Sequence, residues 1–115
     1  MNALTVSEVR NNVHSKLVDE VIVEVERLTG RTFSIDACCD DKGVNSHCGD
    51  FCFPANSFLQ RDVSGQHVWM NTPFACLEEF LKQYSQCKSK ATQTTSGCVV
   101  VPNWRGKWRR HLGGM

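Results

Sequence analysis

The stretch HVWMNTPFACLEEFLKQYSQCKSKATQTTSGCVVV, residues 67–101, decides the fold. His67 to Met70 has the chemistry of a strand, and Asn71-Thr72-Pro73 ends it. From Phe74 to Lys88 the period turns helical, with Phe74, Leu77, Phe80, Leu81, Tyr84 and Cys87 on one face. Ser89 to Gly97 is polar. Cys98 to Val101 is a continuous apolar run suited to a buried strand, stopped by Pro102. Strand, helix, strand argues for parallel neighbours in an α/β sheet.

The upstream sequence fits that frame. Phe33, Ile35 and Ala37 alternate with Thr32, Ser34 and Asp36, so a strand is expected to end near Asp36. Residues 39–50 are polar with two glycines and read as a loop. Phe51 to Phe53 reads as a short strand, Asn56 to Gln60 as a helical turn, and Ser64-Gly65 as a turn. From about Thr5 to Leu28 the apolar residues Val6, Val9, Val13, Leu17, Val21, Val25 and Leu28 recur at helical steps. Thr5 or Ser7 would cap that helix and Gly30 would end it. Asn11 and Asn12 mark a point where it could divide. The expected fold class is α/β: a small, mainly parallel sheet flanked by helices. A helical segment, residues 1–30, precedes a core of residues 31–115 with a basic end.

The 115 residues make one small domain, and 41% hydrophobic with 22% charged residues is ordinary for a globular chain. No apolar run is long enough to span a bilayer, so no membrane partner is expected. The N-terminus has neither the basic stretch nor the apolar run of an export signal. An intracellular location, cytoplasm or nucleus, is expected on that ground. The seven cysteines are an odd count in a chain with long periodic segments, which favours reduced, packed thiols. A net charge of +1 hides a division: residues 1–79 hold all 12 acids and six basic residues, net −6. Residues 80–115 hold seven basic residues and no acid, net +7. A basic third of this kind can face a phosphate backbone, or it can simply be solvated.

Four clusters carry chemistry. Asp36, with Ala37 and Cys38, stands at the carboxyl end of a strand, where open α/β sheets hold their ligands. An acid there accepts from a ribose hydroxyl or an ammonium; alternatively it is an ordinary loop carboxylate. Asn71-Thr72-Pro73-Phe74 offers a side-chain acceptor, a backbone carbonyl and an aromatic ring. Those groups receive an extruded nucleobase by its amino group, although a Pro-containing turn explains the same residues. Cys38, His47, Cys48 and Cys52 hold zinc-ligating atoms at non-standard spacing, and packed thiols are the commoner use. Trp104-Arg105-Gly106-Lys107-Trp108-Arg109-Arg110-His111 interleaves rings with cations. That pattern suits stacking plus phosphate contact by Arg105, Lys107, Arg109 and Arg110. Packing of at least one Trp onto the sheet is the competing use.

The first two clusters occur together. With Phe33-Ser34-Ile35 before Asp36, Asn45 through Cys48, Phe51, Asp62-Val63-Ser64-Gly65 and Val68-Trp69-Met70 before Asn71, the chain resembles the phage-type DNA N6-adenine methyltransferase (Dam-like) family. Gly97 to Val101 with Pro102 resembles that family's next strand. Trp108, Leu112, Gly114 and Met115 match a W-x-x-x-L-x-G-M ending of similar domains in green-algal retroelement polyproteins. The resemblance covers roughly residues 31–115. It implies a Rossmann-like methyltransferase core in a short version, S-adenosylmethionine as cofactor and adenine in DNA as acceptor. Asp36, Ala37 and Cys38 would then bind the cofactor. Asn71 and the Thr72 carbonyl would take the amino group, and Phe74 would stack on the base. Thr72 stands where the family has Pro, which loosens the turn. The loop after Asp36 reaches its first glycine only at Gly43, a poor cradle for a cofactor. Other readings therefore stay open: a form without catalysis, a nucleic-acid-binding or scaffolding domain of a mobile element, a zinc-stabilised interaction module, or a homo-oligomer.

Overall fold

A computed structural model describes residues 2–5, 18–39, 46, 48–102 and 106–112. Strand β1 is Asn2–Thr5, helix α1 Val18–Thr29, β2 Ile35–Asp36 and β3 Asp50–Phe51. After them come β4 (His67–Met70), α2 (Leu77–Lys90) and β5 (Ser96–Val101). The five strands form one sheet in the order β1-β5-β4-β2-β3, and every pairing is parallel. Thus the expected α/β class holds, and the sheet is parallel throughout its described strands.

Both faces of the sheet are covered, so its central strands are buried on both sides. In β4, Val68 and Met70 join one core cluster with Leu77, Leu81 and Tyr84 of α2. Trp69, between them, joins a second cluster with Ile22 of α1, Phe33, Cys98 and Val100. The alternation of β5 is the same: Val99 and Val101 lie on the α2 side. Because side chains of a strand alternate, two apolar layers require a helix on each face. The continuous apolar run at residues 98–101 has this cause.

Helix α2 follows its sequence closely. Leu77, Phe80, Leu81, Tyr84 and Cys87 are its buried residues. Glu78 and Glu79 sit in the first turn and Lys88 and Lys90 in the last, complementing the helix dipole. Phe74 falls in a separate 3-10 turn, Phe74–Cys76, ahead of the helix. The polar stretch after α2 is tied down: Lys88 Nζ donates to the Thr95 carbonyl at 2.6 Å, and Thr95 is buried.

At the N-terminus, Asn2–Thr5 is a strand paired with β5 and not part of a helical segment. Four residues carry too little pattern to signal a strand; the exposed edge of β5 is what recruits them. Residues 6–17, with the expected stripe from Val6 to Leu17, lie outside the described residues. In α1, Ile22 is buried, whereas Leu28 is 68% exposed and leaves the expected stripe. Gly30 ends α1 with φ +70°, a conformation glycine reaches at no steric cost, and its N–H donates to Glu26 O. Ser57 caps a 3-10 turn at Phe58–Gln60 by accepting from Leu59 N. Among the described residues no helix is long and apolar enough to cross a membrane.

Candidate functional site

From β2 the chain moves outward to β3, whereas from β4 it moves the other way to β5. Neighbouring strands whose successors run in opposite directions leave a crevice at their carboxyl ends, the usual ligand position of open parallel sheets. Here those strands are β2 and β4, and Asp36 pairs in register with Trp69. The sheet therefore brings the Asp36-Ala37-Cys38 segment beside Asn71-Thr72-Pro73. The Ala37 N–H donates to the Trp69 carbonyl at 2.8 Å, which extends the alignment past β2.

Asp36 is 5% exposed, and its Oδ1 accepts from the Cys38 N–H at 3.1 Å. Burial pushes the Cys38 thiol up; the Thr72 hydroxyl nearby opposes this, and Asp36 and Cys76 reinforce it. Asn71 and Pro73 are exposed beside this point. Thr72 is buried, and its Oγ1 has no hydrogen-bond partner of good geometry among the described residues. The resemblance marked Thr72 only by its carbonyl and by its standing where the resembled family has Pro. Phe74 is half-buried and packs against the α2-side core, so part of its ring is already in use.

Beyond the end of β2 lies a cavity of about 130 Å³, lined by residues that include Cys38, Cys39, Cys52, Phe53, Phe58 and Phe80. Its lining is nearly all apolar, and its volume is below the roughly 300–1,000 Å³ of common ligand sites. The cavity therefore does not fit the polar part of a nucleoside cofactor. The polar groups at the strand ends are Asp36, whose Oδ1 accepts from the Cys38 N–H, and the Thr72 hydroxyl beside the Cys38 thiol.

The zinc candidate is not assembled by the described residues. Cys38, Cys48 and Cys52 are free thiols, and among the described residues no three metal-ligating side chains come together. His47 lies outside the described residues. Burial pushes Cys48 up to about 12 and Cys52 up to about 11, which keeps both protonated as small packing groups.

The basic end folds back onto α2. A 3-10 turn, Lys107–His111, contacts that helix. Trp108 is buried in the α2-side core, as the packing alternative expected for one Trp. Lys107, Arg109 and Arg110 are exposed. Arg109 sits over the Trp108 ring at 5.5 Å, and Arg110 pairs with Glu78 in the first turn of α2. Trp104 and Arg105 lie outside the described residues. Comparison with known proteins found no matching family model, no matching curated protein and no matching solved structure.

Proposed function

We propose that the chain is a Rossmann-like methyltransferase domain that takes an adenine of DNA at Asn71, with S-adenosylmethionine as methyl donor. One observation carries this reading: the parallel register of β2 and β4 sets Asp36 and Asn71 at adjacent strand ends, at the switch point of the sheet. Two segments picked out separately in the sequence thereby lie at neighbouring strand ends. Asp36, Ala37 and Cys38 would hold the cofactor, which supplies an electrophilic methyl group when bound. Asn71 Oδ1 and the Thr72 carbonyl would each accept one hydrogen of the adenine amino group and orient its lone pair. The exposed part of Phe74 would stack on the base. Lys107 and Arg109 would meet the phosphate backbone.

Calorimetric titration of S-adenosylmethionine tests the reading, with Asp36→Ala as control and circular dichroism as the check on folding. The expected result is saturable binding that Asp36→Ala abolishes. Asn71→Ala is then expected to retain cofactor binding and lose labelled-methyl transfer to adenine-containing DNA. No binding at millimolar cofactor overturns the enzyme reading. The exposure of Lys107, Arg109 and Arg110 favours one second reading, DNA binding without methyl transfer. Salt-dependent DNA affinity in a chain that ignores the cofactor would establish it.

A further inference from the structure

The opposite pole of the sheet, at the amino ends of β4 and β5, holds a polar relay around one buried histidine that the proposed reaction does not use. His67 opens β4 and is 5% exposed. Its ring stacks on Phe33, with centroids 4.3 Å apart and planes at 6°. Its Nδ1 lies 2.8 Å from Ser96 Oγ, the first residue of β5. Arg31 Nη1 donates to that same oxygen at 2.6 Å.

The charged ring is poorly served here. Arginine only donates, so Ser96 Oγ accepts from Arg31. Its remaining lone pair and its proton let that oxygen either accept from or donate to His67 Nδ1. Nε2 is buried and has no partner among the described residues. A protonated ring would carry an unpaired Nε2–H and hold its charge out of water, with Arg31 on the same serine oxygen.

His67 also ties the backbone together. Ser34 N donates to the His67 carbonyl at 2.8 Å, and His67 N donates to Ser34 Oγ at 3.0 Å. Phe33, under the ring, packs edge-on against Trp69 and belongs to the core that receives Ile22 of α1. One imidazole thus joins β4, β5, the entry to β2 and the layer under α1. We propose that His67, Ser96 and Arg31 form an acid-sensitive latch: the neutral ring holds this pole closed, and protonating it loosens the Phe33 and α1 side of the sheet.

The charged neighbours are few and pull in both directions. Burial acts most strongly against a charged ring, and Arg31 adds to it. A Ser96 backbone group and Glu26 of α1 favour the charged ring, Glu26 while accepting from Phe33 N at 2.7 Å. Their balance leaves His67 below its ordinary 6.5. The unfolded chain then binds this proton more readily than the folded one. Stability is held above pH 6.5 and falls as pH drops from there to the folded value.

Two measurements on the whole chain test the latch. A ¹⁵N-edited NMR titration of the wild type should show a His67 midpoint below 6.5. Urea unfolding should show the folding constant dropping below pH 6.5 by up to about tenfold per pH unit. That drop should be absent in His67→Phe, whose ring cannot titrate, with the other histidines contributing equally to both proteins. A midpoint at or above 6.5, or an equal pH dependence in both proteins, overturns the proposal. Should His67→Phe not fold, the wild-type titration decides alone.

Discussion

Replacing Phe58 by Ala is the sharpest test of how the candidate site is supported. Phe58 is wholly buried in a 3-10 turn, stacks on Phe80 of α2 at 5.4 Å and 13°, and lines the cavity beside Cys38. Truncating a core Phe to Ala costs about 3–5 kcal/mol. The upper half of that range applies for two reasons. The ring pair is lost with the side chain, an effect of about 0.5–1.5 kcal/mol beyond its area. The neighbouring cavity of about 130 Å³ also shows packing that has not closed over an existing void. A loss of about 4–5 kcal/mol compares with a total of roughly 6–17 kcal/mol for a domain of 115 residues. Melting should fall by roughly 15–20 °C. Urea unfolding followed by tryptophan fluorescence gives the value, and an unchanged denaturant slope confirms that the same transition is being compared. Phe58→Leu, which keeps most of the volume, should lose less than about 1.5 kcal/mol. A loss below about 1.5 kcal/mol in Phe58→Ala would refute the packing of this turn on α2.

Two further substitutions test the frame. Gly65 turns with φ +79°, and a Cβ added there would meet only Thr94 Oγ1, at 3.7 Å, so Gly65→Ala should cost about 1–2 kcal/mol from backbone strain alone; melting temperatures would read it, and an unchanged value would contradict the turn. Arg61 holds Asp50 through two nitrogens, at 2.6 and 3.1 Å, and pulls its carboxyl below the ordinary 3.8. The pair is partly solvated, so Asp50→Asn should cost less than about 1 kcal/mol at neutral pH. The wild type should lose that advantage as pH falls through the depressed value, and stability curves of the two proteins should converge in acid.

Much of the fold was legible because its signals are local. The helical face from Leu77 to Cys87 and the apolar run at residues 98–101 repeat within a few residues, so period and burial agree. The strand near Asp36 was legible too, although its ladder shrinks to Ile35–Asp36, Asp36 is itself buried, and Phe33 packs on the α1 side while Ile35 and Ala37 pack on the α2 side. Strand β1 was not legible, since its four residues depend on β5, more than ninety positions away. Trp108 gave an ambiguous signal, because a ring between cations suits both a base and a core. The α2 contact decided for the core.

The candidate site divides in the same way. By itself the sequence marked Asp36 and Asn71, each next to the end of an apolar strand pattern, and it concentrated the positive charge after residue 79. It left their relation open, because 35 positions separate them and nothing local records which strands pair. The strand order placed β2 beside β4 and so joined the two ends. Burial of the Thr72 hydroxyl and the linking of Arg31, His67 and Ser96 were likewise settled only in three dimensions. Periodicity reports what each segment buries, whereas hydrogen-bond partners and desolvation depend on which distant segments arrive at the same place.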